Sequence, residues 1–154
     1  SGFLLINRSG VSSMAFVALS GQFYEFHRGR ITARPGAVIH MRVGFEIGPM
    51  ISREEALRRI KGGNAPHGKP GKDVYTLRRQ DALRLARDAY RVPPEEEIHE
   101  PGEHDPNPSG RPDVYFPHFH PGGRYDPRGA IKKPGHVFYG KRGEIPPRYE
   151  QDTE

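Results

Sequence analysis

In the first fifty residues apolar and polar positions alternate in short runs separated by glycine-containing turns. This period-2 pattern predicts β-strands over residues 3–6, 13–19, 22–27 and 38–47. Ser20-Gly21 is placed to join the second and third of these as a tight hairpin. In the fourth, Ile39, Met41, Val43, Phe45 and Ile47 point one way and His40, Arg42 and Glu46 the other, as in a sheet with one wet face. The period then changes. Residues 53–60 read as a helix opened by an S-x-x-E capping box, Ser52 with Glu55, and stopped by Gly62-Gly63. A loop rich in glycine, proline and lysine leads to a second helix, capped by Thr76 and ending near Tyr90 ahead of Pro93-Pro94. Its apolar face carries Ala82, Leu83, Ala86, Ala89 and Tyr90. Arg78, Arg79, Arg84, Arg87 and Arg91 decorate the rest, as a solvated face or, alternatively, a phosphate-facing one.

Beyond residue 93 the chain changes character. Prolines, Glu95-Glu96-Glu97 and Asn107-Pro108 make residues 93–112 an irregular, acidic connector whose carboxylates read as solvated. Two short strands follow, over residues 113–120 and 136–140, divided by a Gly/Pro-rich excursion and followed by a polar tail from Lys141. The expected fold is therefore α+β, in one domain over residues 1–154: an antiparallel sheet, two helices, and a Pro/Gly-rich C-terminal region carrying two short strands. A β-rich scaffold (1–50), the helices (51–92), the connector (93–112), a histidine-rich region (113–140) and the tail (141–154) divide it.

Composition narrows the function classes. Glycine and proline together supply 35 of 154 residues and only 34% are apolar, so a modest core with long loops is expected. The absence of cysteine excludes a disulfide framework, a thiolate zinc site and a cysteine nucleophile. A net charge of +5, with arginine outnumbering lysine, points to a polyanionic partner, nucleic acid foremost. No apolar run reaches the roughly 18 residues of a membrane span, and Met14–Leu19 reads as a buried strand rather than a signal-peptide core. No membrane partner is expected.

Candidate chemistry gathers late in the chain: of eight histidines, five fall between His99 and His136. In Phe116-Pro117-His118-Phe119-His120-Pro121, strand alternation puts His118 and His120 on one surface with Phe119 turned into the core. His136 opens the next strand, where pairing would bring it to them. Such imidazoles either exchange protons as acid and base near neutral pH or bind a metal through neutral nitrogens. His118, His120, His136 and Tyr139 are the candidate catalytic residues; Arg124, Arg128, Lys132, Lys133, Lys141 and Arg79 are the candidate phosphate-binding ones. An acid, a base and a cation suffice for metal-free RNA cleavage through the ribose 2′-hydroxyl, so the first expectation is a ribonuclease without a cofactor. The alternative is a Mg- or Zn-dependent nuclease of the His-metal (HNH-like) type, a DNase, in which His99, His104 or Asp105 join His118 and His120. A base- or nucleotide-modifying transferase and a non-catalytic basic module that grips RNA also fit.

Three segments carry a resemblance: Asp73-Val-Tyr-Thr76 with the alanine-rich helix after it, Pro117-His118-Phe119-His120-Pro121, and His136-Val-Phe-Tyr-Gly140. Over residues 73–140 this layout resembles the C-terminal toxin modules of bacterial polymorphic toxins. The resemblance implies a secreted or contact-delivered effector that acts, often as a nuclease, in the cytoplasm of a competitor cell. It also implies a cognate immunity protein, which opposite charge would make acidic.

Overall fold

The computed structural model describes residues 2–6, 14–31, 42–62, 68–101, 115–122 and 134–144. Their order is β1 (Gly2–Ile6), β2 (Met14–Ala18), β3 (Phe23–Ile31), β4 (Arg42–Ile51), α1 (Arg53–Ile60), β5 (Val74–Thr76), α2 (Arg79–Ala89), β6 (His118–Phe119) and β7 (Val137–Tyr139). The class is α+β. Strands β1 and β2 pair with each other, and the remaining five form a sheet in the order β4-β3-β5-β7-β6.

Local chemistry explains the elements that match the pattern. Helix α1 begins where the Glu55 N–H donates to Ser52 Oγ at 3.0 Å, with Glu54 and Glu55 in the first turn and Arg58 and Arg59 in the last. The sheet is mostly antiparallel, as expected, and one pair within it, β5 with β7, runs parallel, joined through a connection that contains α2. Two expectations are corrected. The turn at Ser20-Gly21 exists, closed by Gln22 N–H to Leu19 O with Gly21 at φ +76°, yet β2 and β3 belong to different sheets and form no hairpin. Thr76 does not cap α2. It lies buried in β5 and donates its hydroxyl to Gln22 O at 2.7 Å, while Arg78 stands at the cap position without a side-chain capping bond.

Alternation along the central strands makes two cores. Val74, Val137, Tyr139 and Phe119 face the helices and pack with Ala56, Ile60, Ala82, Leu85 and Ala86. Tyr75, Phe138 and Phe26 face the other way and meet Phe116, Tyr24 and Ile47. The second core is aromatic: Phe26 stacks on Phe138 at 4.3 Å between centroids and meets Phe116 edge-on at 5.2 Å. Among described residues, the imidazoles of the C-terminal region lie on this second side.

One crossing sets the height of β7 against the rest. Gly135 N–H donates to Ile60 O at 2.8 Å and Lys72 N–H to Arg59 O at 2.7 Å, so the end of α1 and the segments before β5 and β7 meet backbone to backbone. A Cβ at Gly135 would lie 2.1 Å from the Lys72 carbonyl oxygen, and one at Gly71 2.3 Å from that of Ile60. Both positions therefore require glycine for close approach.

Candidate metal centre

Strand β6 and the residue opening β7 build the centre. His118 pairs opposite Phe138, and alternation carries His120 and His136 to the same side. The rings of His118 and His136 stack at 4.9 Å and 12°, and those of His120 and His136 at 4.1 Å and 20°. One nitrogen from each of the three lies within 4.8 Å of the other two. A tetrahedral zinc ion would draw such nitrogens to about 3.3 Å apart, which needs a closure of roughly 1.5 Å at most through ring rotation. All three residues are half-buried.

Neighbouring groups fix the rings and their protonation. His118 Nδ1 lies 2.8 Å from the Phe116 carbonyl oxygen, so Nδ1 carries the proton and donates, and Nε2 presents its lone pair. His136 Nδ1 is buried without a hydrogen-bond partner. The His136 backbone N–H donates to Asp73 Oδ1 at 2.8 Å, and Asp73 Oδ2 accepts from Arg28 Nε at 2.7 Å. Arg28 also lies over the Phe138 ring at 5.2 Å, which holds a guanidinium beside the imidazoles. His99 joins from the connector: its carbonyl accepts the His120 N–H at 2.9 Å, and its ring meets that of His120 edge-on at 4.9 Å.

Protonation is opposed at His118 and His136. Desolvation pushes His118 down to about 4, with Arg28 adding to the fall and the Phe116 carbonyl resisting it. Desolvation pushes His136 down to about 2, reinforced by His120, His118 and Arg28. At neutral pH these are uncharged donors of lone pairs. A stability prediction follows from the sign. The unfolded chain takes up protons near 6.5 and the folded chain only near 4 and below, so stability is full above 6.5 and falls as pH drops through that window. Urea titrations in EDTA at pH 7.5 and pH 5.0 should differ by about 2 kcal/mol per buried imidazole; equal midpoints would contradict the buried neutral state.

Other candidates fall elsewhere. Tyr139 faces the helices, is 4% exposed, stacks on Phe119 and donates its hydroxyl to Glu100, so it is separated from the imidazoles by the sheet. Arg79 forks onto Glu100, with Nε at 3.0 Å and Nη2 at 2.5 Å, and lies over Phe119, on the helix side of the sheet away from the imidazoles. Glu100 is 1% exposed, against the expectation of a solvated connector carboxylate. Lys141 is exposed in the turn after β7. His104, Asp105, Arg124, Arg128, Lys132 and Lys133 lie outside the described residues. Arg28 and Asp73 were not singled out by the sequence; the only signal was that Asp73 opens the Asp73-Val-Tyr-Thr76 segment.

No family profile, curated protein or solved structure matches this chain significantly.

Proposed function

We propose that this chain is the nuclease module of a bacterial antagonistic toxin, cleaving nucleic acid at a zinc-type metal held by His118, His120 and His136. The carrying observation is the convergence of three half-buried imidazoles, one nitrogen of each within 4.8 Å of the others, beside Arg28. Three protein ligands, with a fourth position left to water or substrate, would be the pattern of catalytic rather than structural zinc. An imidazole-only set favours zinc or a similar transition metal over magnesium, which prefers oxygen. A metal bound there would lower the pKa of a coordinated water to about 7.

The chain's own part is orientation and charge. The Phe116 carbonyl fixes the His118 tautomer, and Arg28, anchored by Asp73, stands where it would stabilise the charge gathering on a phosphoryl group. Hydrolysis adds water across one ester bond: an oxygen–phosphorus bond forms, the bond to the leaving ribose oxygen breaks, and that oxygen takes the proton. The metal-free route needs an imidazolium at neutral pH, and burial works against it at His118 and His136. The net charge of +5 and the toxin-module resemblance of residues 73–140 support a nucleic-acid substrate, delivery into a target cell and an acidic immunity partner.

The test is cleavage of bacterial total RNA and of plasmid DNA by the purified chain. Activity abolished by EDTA and restored by zinc is expected. Cleavage that persists in EDTA would replace the metal by the histidine acid/base mechanism, and no cleavage of either polymer with zinc supplied would remove the nuclease reading.

A further inference from the structure

A cleft of about 470 Å³ opens beside the imidazole cluster, between the end of β3 and the backbone crossing that precedes β5 and β7. Its walls carry His27, Arg28, Arg59, Lys72 and Asp73, and its floor includes Gly71 and Gly135. The floor is bare backbone, because at both glycines a side chain would overlap a carbonyl. Three cationic side chains face one carboxylate. That carboxylate, Asp73, is already engaged by Arg28 and by the His136 N–H.

Arg59 is the most telling residue. Its side chain is only 11% exposed and its Nη1 donates to Glu25 at 3.1 Å. Its Nε is buried with no acceptor. A guanidinium with an unpaired N–H keeps donor capacity for an anionic oxygen, which rotation of this side chain would turn toward the cleft it lines. Lys72, on the rim, is exposed and adds a second positive charge. The cleft adjoins the imidazole cluster through two of its lining residues: Asp73 accepts from the His136 backbone N–H and Arg28 lies over the Phe138 ring.

We propose that this cleft is the phosphate-backbone subsite of the nucleic-acid substrate, with Arg59 and Lys72 holding the phosphate next to the one at the metal and Arg28 shared between the two. This rests on the nuclease reading above. It assigns substrate binding to residues of the β3–α1–β5 region rather than to the basic residues of the C-terminal excursion.

The experiment is fluorescence anisotropy with labelled 12-nucleotide single-stranded RNA and DNA, in EDTA so that no metal-assisted cleavage intervenes. It compares the intact chain with Lys72→Ala and Arg59→Gln across a salt series, with melting temperature and zinc affinity recorded for each. Lys72→Ala is expected to weaken oligonucleotide binding several-fold at low salt, and to reduce the slope of log K against log salt by about 0.7. Its zinc affinity should match the parent's. Arg59→Gln should weaken binding similarly while folded. Tight parental binding with unchanged affinity and slope in both variants would overturn the subsite and leave the nuclease reading standing. No oligonucleotide binding by the parent, with zinc binding intact, would overturn the nucleic-acid reading itself. Equal competition by polyglutamate of matched charge would overturn the subsite in favour of an acidic polypeptide partner.

Discussion

His136→Phe is expected to abolish the proposed zinc binding and nuclease activity while leaving the metal-free fold as stable as the parent or more so. His136 is the common neighbour of the cluster, within 4.1 Å of the His120 ring and 4.9 Å of the His118 ring. Phenylalanine keeps an aromatic ring in that stack and removes two nitrogens, one of which is buried without a partner. The backbone N–H to Asp73 is untouched by the change. Loss of outer-shell partners alone commonly lowers metal affinity or activity by 10- to 100-fold, so loss of a ligand should exceed about 100-fold. At zinc concentrations of about 100 times its Kd the parent should gain about 2.7 kcal/mol of stability and the variant none. A variant that retained activity within a few-fold of the parent would remove His136 from the mechanism. One that lost activity only by unfolding would show its fault in the melting curve measured in EDTA.

The second large effect is structural and lies on the opposite side of the sheet. Glu100→Ala is expected to lower stability by about 3 kcal/mol, because it strands both of its partners. Arg79 would lose its fork, and the buried Tyr139 hydroxyl its acceptor. Burial and, after it, the Glu100 carboxylate hold the Tyr139 hydroxyl protonated, so it acts as a donor across the accessible pH range. Arg79 is partly exposed, which places the loss at the low end for a broken buried pair. For a chain of this size the melting temperature should fall by about 10 °C. Glu100→Gln retains an acceptor for Tyr139 and should lose less. Zinc affinity per folded molecule should be unchanged in both, since the imidazoles sit on the aromatic face. Urea denaturation at pH 7.5 reads the first effect and calorimetric zinc titration the second; a loss below about 1 kcal/mol in Glu100→Ala would mean the pair is not holding the connector to the sheet.

Much of the scaffold was legible because its signals are local. The capping box at Ser52 and Glu55 specifies where α1 begins, and the period-2 runs mark the β-rich first third. Strand β5 escaped because three residues, buried on both faces, show no alternation; Val74 meets the helices while Tyr75 meets the aromatic core. The parallel β5–β7 pair was hidden for the same reason, since its partner is also three residues long. Of the site, the H-x-H pair and His136 were visible by strand geometry. What stayed out of reach was long-range: Arg28 meets Asp73 across 45 residues, and Arg79 meets Glu100 through a connector that looked acidic and solvated. A carboxylate whose partner is a distant arginine carries no local mark of being buried.

The central claim is that three imidazoles form one metal site, and cobalt titration of the purified chain followed by optical absorption tests it most directly. One equivalent of cobalt per chain is expected, with the intense visible bands of a tetrahedral ion, displaced by zinc and lost in His118→Ala, His120→Ala and His136→Phe alike. Absence of those bands at saturating cobalt, or bands that persist in all three variants, would contradict it.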